Sequence, residues 1–128
     1  MLILDTHALV WLASDQAHLT AAGKSLIRAA AGALCISSIT GLEIALLVKR
    51  GRLDLPVPAR AFVERALQQH GVEEIPVDVT IAMGAVDLPD IHNDPFDRLI
   101  IATALTHACP VLSRDAVLPR YPGLTVLW

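Results

Sequence analysis

The sequence has few cysteines, few aromatic residues and no excess of positive charge, and each shortage excludes a class of protein. The two cysteines, Cys35 and Cys109, lack CxxC spacing, so buried free thiols are expected rather than a disulfide framework or a zinc site. Ten Lys and Arg against 13 Asp and Glu give a net charge of -3, which excludes histone-like binding of nucleic acid through bulk positive charge. Aromatic residues make up 4%, so base-stacking platforms are poorly represented.

The sequence also lacks a hydrophobic run long enough to cross a membrane. The longest charge-free apolar stretch, 99–113, is shorter than the roughly 20 residues that a membrane span requires. The first residues, Met-Leu-Ile-Leu-Asp, have no basic region ahead of the apolar segment and are unlike a secretory signal. We therefore expect a soluble protein in the reducing cytoplasm.

The residues that are present predict one globular domain over 1–128, because 54% are hydrophobic and 18% are charged in a chain of this length. Short apolar runs predict strands at 2–4, 33–36, 73–75, 110–112 and 124–127. Helical periodicity lies between them at 8–13, 21–31, 41–49, 58–70, 79–86 and 95–108. Apolar strands that alternate with helices predict a three-layer α/β/α sandwich around a mainly parallel sheet.

Four acidic residues follow predicted strands or begin predicted helices, and in a parallel sheet both positions lie at the carboxyl edge, where ligands bind. They are Asp5, Glu43, Asp97 and Asp115. Each has a structural explanation on its own: a helix N-cap, a capping box with Thr40, a helix first turn after a cap at Asp94, and a surface turn. These separate explanations do not account for four acids at one edge.

Clustered carboxylates repel one another unless cations neutralise them. Sites made only of oxygen ligands suit Mg²⁺ or Mn²⁺. A cluster that holds one or two such ions is typical of enzymes that hydrolyse phosphodiester bonds, and we predict this reaction. Arg114 is the best candidate to bind substrate phosphate, although an ion pair within the chain explains it equally well, and Arg98 also lies beside key acids. His7 and His92 form no spaced metal pair and stay outside the predicted catalytic set.

The segments that carry these acids resemble the PIN-domain ribonucleases, and specifically the VapC-type toxins. The matching segments are LDTHALVWL at 4–12, SSITGLEIA at 37–45, HNDPFDRLIIATA at 92–104 and LSRD at 112–115. The resemblance spans nearly the whole chain. It implies a five-stranded parallel sheet of order 3-2-1-4-5 and Mg²⁺-dependent endonucleolytic cleavage of RNA.

The same resemblance assigns roles to individual residues. The family's four catalytic and metal-binding acids fall on Asp5, Glu43, Asp97 and Asp115, and Asp94 resembles an accessory acid. Two further accessory residues, Thr6 and Ser113, match hydroxyl positions that hold water or acid side chains in relatives. Relatives are also usually homodimers that a VapB-type antitoxin inhibits. One departure from the family pattern is Leu42, where relatives often carry Trp.

Two other functions remain open from the residues alone. One is a phosphatase or phospho-acceptor domain with Asp5 as its nucleophile. Phosphatases of this type usually need a second acid two residues later, and that position holds His7. The other is a non-catalytic binding or scaffold module whose acids only cap helices. Binding of divalent ions separates the scaffold from the nuclease, because only a metal site gains stability from the ion.

Overall fold

In a computed structural model that describes residues 1–128, the five strands form one parallel sheet of order β3-β2-β1-β4-β5. This arrangement confirms the expected fold class and strand order. The strands are β1 (Leu2–Leu4), β2 (Leu34–Ser37), β3 (Glu73–Ile75), β4 (Val111–Leu112) and β5 (Val126–Leu127). Strand β4 begins one residue later than predicted, and Pro110, which has no N–H to donate to a neighbouring strand, directly precedes it.

Six helices connect the strands: α1 (Thr6–Ser14), α2 (Ala21–Ala29), α3 (Ile39–Lys49), α4 (Ala59–His70), α5 (Val79–Asp87) and α6 (Pro95–His107). Helix α1 begins two residues before its predicted start because the Asp5 side chain accepts the backbone N–H of Ala8 and caps it. Helix α3 begins at Ile39, ahead of the predicted Gly41. None of the helices combines the length and the apolar character needed to span a membrane.

The sheet is covered on both faces, which explains why its strands are apolar throughout. Leu2 and Leu4 of β1 pack in one core with residues of α1 to α4, while Ile3 packs in a second core with residues of α5 and α6. Cys35 and Cys109 are buried free thiols in this second core, as the sequence predicts. Burial raises the pKa of both thiols, which keeps them protonated and unreactive.

The parallel order brings several chain connections to one edge of the sheet. Strand β1 leads into Asp5 and α1, β2 leads into α3, and β4 leads into Ser113. Because β1 lies between β2 and β4, these three connections are neighbours in space. The edge therefore brings together residues that are far apart in the sequence.

Candidate active site

A cleft of about 300 Å³ opens at this edge, and carboxylates dominate its lining. All four predicted acids line it, together with Asp94. The full lining is Asp5, Thr6, His7, Trp11, Glu43, Asp94, Asp97, Arg114 and Asp115. A larger cleft of about 490 Å³ lies beside α5 and α6, but Asp90 is the only carboxylate that lines it.

Asp5 is both a helix cap and a member of the acidic cleft. One carboxylate oxygen accepts the N–H of Ala8 at 2.8 Å, so the N-cap interpretation holds alongside the convergence of the acids. Burial raises the pKa of Asp5, and hydrogen bonds from Ser113 and the Ala8 N–H oppose the rise. Asp5 therefore lies in an environment where an unneutralised negative charge is costly.

Glu43 does not form the capping box that its spacing from Thr40 suggests. It lies one turn inside α3, whose N-cap residue, Ser38, makes no side-chain capping bond. The Thr6 hydroxyl instead donates a short hydrogen bond to Glu43, and Thr40 lies 3.3 Å from the same hydroxyl. Burial raises the pKa of Glu43, and the Thr6 hydrogen bond partly offsets this. Thr6 thus orients the Glu43 carboxylate into the cleft.

The start of α6 follows the predicted helix-start pattern. Asp94 accepts the N–H of Phe96 at 2.9 Å, Pro95 occupies the first helical position, and Asp97 lies in the first turn. Asp97 makes no capping bond and turns its carboxylate to the other acids. Burial raises the pKa of Asp97 to about 7, the charges of Asp94 and Glu43 add to the rise, and His92 opposes it.

Asp115 belongs to a turn after β4. One of its carboxylate oxygens accepts the N–H of Val117 at 2.8 Å, which matches the turn interpretation. The Ser113 hydroxyl accepts the N–H of Asp115 at 3.1 Å and helps to fix this turn. The second oxygen of Asp115 lies 3.5 Å from Nε2 of His92. The turn thus leaves one carboxylate oxygen facing the cleft.

His92, which the sequence analysis set aside together with His7, contacts two acids of the cleft. Its Nε2 lies 3.0 Å from Asp97 and 3.5 Å from Asp115. Its Nδ1 accepts the backbone N–H of Asp94 at 3.2 Å, which places the ring proton on Nε2 in the neutral form, directed at the two carboxylates. Possible metal-ligand atoms of His92, Asp97 and Asp115 all lie within 4.8 Å of one another. In the sequence, the only feature that points to His92 is its position two residues before Asp94, the N-cap of α6.

The sequence suggests Arg98 as a further residue that could bind substrate phosphate, but the structure leaves it unavailable for this. Its guanidinium donates to the carbonyls of Ala85, Leu88, Pro89 and His92 at 2.9–3.1 Å. A rigid five-donor fork can satisfy several carbonyls at once in this way. Arg98 therefore fixes the connection between α5 and α6, which carries His92 and Asp94.

Replacing Arg98 by alanine is expected to lower the free energy of unfolding by about 2–4 kcal/mol, because several charge-assisted hydrogen bonds are lost together. Urea unfolding monitored by circular dichroism measures this. Arg65→Ala is the matched control, since Arg65 is exposed on α4 and should change stability by less than about 0.5 kcal/mol. Equal effects of the two substitutions would show that Arg98 does not hold this connection.

The donor chemistry of the cleft suits a hard divalent cation. Asp5, Glu43 and Asp97 all have raised pKa values, with burial as the first cause and neighbouring carboxylates as further causes. Such a cluster keeps its full negative charge only when a cation neutralises it. Four carboxylates supply the oxygen ligands that hard divalent ions prefer.

Comparison with known proteins agrees with the class that the fold and the cleft define, an α/β domain with an acidic site at the carboxyl edge of its sheet. The model of the PIN domain family matches residues 2–124, and the chain belongs to that family. It is 30% identical to Ribonuclease VapC22 of Mycobacterium tuberculosis over 129 residues, covering 98% of this chain and 97% of that protein.

Solved structures share the fold at low sequence identity. One is VapBC2 from Rickettsia felis bound to a DNA fragment from their promoter, with a TM-score of 0.75, 16% identity, and coverage of 98% of this chain and 96% of that chain. Another is a toxin-antitoxin complex from Klebsiella pneumoniae, with a TM-score of 0.69, 22% identity, and coverage of 100% and 97%. These likenesses confirm the expected PIN fold.

Proposed function

We propose that the chain is a VapC-type toxin, a metal-dependent endoribonuclease that hydrolyses RNA phosphodiester bonds. The observation that carries this proposal is the convergence of Asp5, Glu43, Asp97 and Asp115 from four separate connections into one cleft. Membership of the PIN domain family and the similarity to Ribonuclease VapC22 support the same activity. The whole chain, 1–128, acts as one PIN domain in this proposal.

Asp5, Asp97 and Asp115 would hold Mg²⁺ or Mn²⁺, and Glu43 would hold a second ion or orient the attacking water. When bound, such ions neutralise phosphate charge and lower the pKa of a coordinated water. Thr6 keeps Glu43 directed into the cleft through its hydroxyl. Ser113 supports both Asp5 and the Asp115 turn. In the reaction, the water loses a proton and its oxygen bonds to phosphorus, while the bond to the leaving ribose oxygen breaks and that oxygen takes up a proton.

His92 and Asp94 support the acids in this scheme. The His92 ring directs Nε2 towards Asp97 and Asp115, and an N–H at this position limits the mutual repulsion of the two carboxylates. Asp94 caps α6 and orients its first turn, where Asp97 lies. Arg114, at the rim of the same cleft, would bind substrate phosphate.

A VapB-type antitoxin is the proposed inhibitor, and a homodimer is the proposed assembly. Large hydrophobic side chains on α3 and α5 are exposed and suit contacts with other chains: Leu42, Val79, Met83 and Val86. The solved complexes of toxins and antitoxins with the same fold are consistent with such a partner. The two free thiols agree with a reducing cytoplasmic location.

The direct test is RNA cleavage by the purified chain. We expect a 5′-labelled single-stranded RNA to be cut internally in Mg²⁺ or Mn²⁺ and to remain intact in EDTA, because the acids alone repel phosphate. Restored cleavage after the ion is added back excludes loss of folding in EDTA. Equal cleavage with and without divalent ions would contradict the proposal. A phosphoryl group trapped on Asp5 would favour the phosphatase alternative instead.

A further inference from the structure

Both tryptophans of the chain, Trp11 and Trp128, lie together beside the acidic cleft. Their ring centroids are 5.7 Å apart in an edge-on arrangement. His18 stacks on Trp11 at 5.2 Å with an interplanar angle of 26°, and His7 lies 5.5 Å from the same ring. Trp11 also lines the cleft itself. Two tryptophans and two histidines therefore form one aromatic group at the rim of the cleft.

Arg114 packs on this aromatic group rather than on the acids. Its guanidinium carbon lies 4.6 Å from the Trp11 ring centroid. The side-chain ion pairs of the structure all involve His18 or His92, and none involves Arg114. Arg114 is exposed, and its side chain makes no hydrogen bond within the protein. The ion-pair explanation of Arg114 is therefore wrong, and its N–H donors are free.

Electrostatic attraction to the acids alone would not hold Arg114 on the indole. Attraction to Asp115 and the other acids would draw a flexible guanidinium inward, where it would compete with a metal ion and lose its donors to the chain. Stacking on the indole holds the planar group without using its N–H donors. The Trp11 ring thus holds the Arg114 guanidinium at the rim of the cleft, away from the carboxylates.

We infer that Trp11 is a positioning residue that holds the Arg114 guanidinium at the rim of the cleft, where it binds an RNA phosphate beside the one that is cut. This inference rests on the proposed function and deepens it. The guanidinium fork matches the geometry of phosphate oxygens. A stacked base is the less suitable occupant, because Arg114, His7, His18 and Trp128 already surround the Trp11 ring.

A double-mutant cycle on RNA cleavage tests the inference, with KM and kcat measured separately. We expect Arg114→Ala to raise KM about tenfold, because a charge-assisted contact to phosphate is lost. Trp11→Leu should raise KM about threefold to fivefold, the effect expected for loss of a cation–π contact, with kcat within about twofold of the parent. The double variant should have the KM of Arg114→Ala alone, because Trp11 acts through Arg114.

Trp128→Leu is the matched control, since it removes the other tryptophan from the same group and leaves the stack of Arg114 on Trp11 in place. Its KM should equal that of the parent, and urea unfolding of all variants separates loss of stability from loss of binding. Additive effects of Trp11→Leu and Arg114→Ala, or an unchanged KM in either, would overturn the inference while cleavage by the parent upholds the proposed function. A parent that does not cleave RNA in divalent metal would overturn both.

Discussion

Asp5→Asn is expected to slow RNA cleavage by about a hundredfold to a thousandfold while the protein stays folded. Asparagine caps helices about as well as aspartate, so the bond to the Ala8 N–H and the start of α1 should be retained. The substitution removes the negative charge and the anionic oxygen that a divalent ion requires. Losses of this size follow when charge stabilisation at a phosphoryl centre is removed. Single-turnover cleavage in saturating Mg²⁺ measures the effect.

Asp78→Asn is the matched control for this experiment. Asp78 caps α5 with the same geometry that Asp5 uses on α1, accepting the N–H of Ile81 at 2.8 Å, but it does not line the acidic cleft. Its rate should equal that of the parent, and both variants should unfold within about 1 kcal/mol of it. If Asp5→Asn cleaves as fast as Asp78→Asn, Asp5 is a cap and not a metal ligand.

Asp97→Asn should make the metal-free protein more stable at pH 8 while it abolishes cleavage. The pKa of Asp97 rises from 3.8 in the unfolded chain to about 7 in the folded one, so the folded state binds more protons between these values. The stability of the metal-free parent therefore falls as the pH rises from about 4 to about 7. Asparagine has no charge that burial would desolvate and none that would repel Asp94 and Glu43, and we expect a gain of about 1–3 kcal/mol at pH 8.

Thermal unfolding in EDTA at pH 5 and pH 8 measures this prediction. The Tm of the parent should be lower at pH 8, and the Asp97→Asn variant should recover about 3–10 °C there and much less at pH 5. Added Mg²⁺ should raise the Tm of the parent at pH 8 more than that of the variant, because bound ligand stabilises the folded state. Glu64→Gln, an exposed acid on α4, serves as control. A variant less stable than the parent at pH 8 would contradict a cost of the buried Asp97 charge in the metal-free protein.

Much of the fold was predictable because local patterns and burial agree. Uniformly apolar strands form a sheet that must be buried on both faces. The helices that alternate with the strands supply this burial. The order of the strands did not follow from alternation alone; the resemblance to PIN-domain ribonucleases supplied it, and the structure confirms it. Helix starts were less predictable. Apolar periodicity placed the start of α1 at residue 8, whereas the Asp5 cap, which the sequence also indicated, sets the start at Thr6.

The acids of the cleft were found because each lies shortly after a strand or in the first turns of a helix, positions that a parallel sheet brings to one edge. His92 and Trp11 had no such signal. His92 became recognisable only through its contacts with Asp97 and Asp115, and Trp11 through its contact with Arg114. For Arg98 the sequence suggested a role in the site that the fold does not support. Arg98 lies beside key acids in the sequence, but its guanidinium donates to backbone carbonyls.

The sequence by itself determined the layers of the fold and the edge at which its acids gather, because strand and helix periodicity and the residues after each strand are local properties. The tertiary structure decided which side chains meet there and in what state. Burial and neighbouring charge raise the pKa of Asp97, His92 directs its proton at two carboxylates, and Trp11 keeps Arg114 from the acids. These effects depend on distances between residues remote in the chain, and only the packed fold sets those distances.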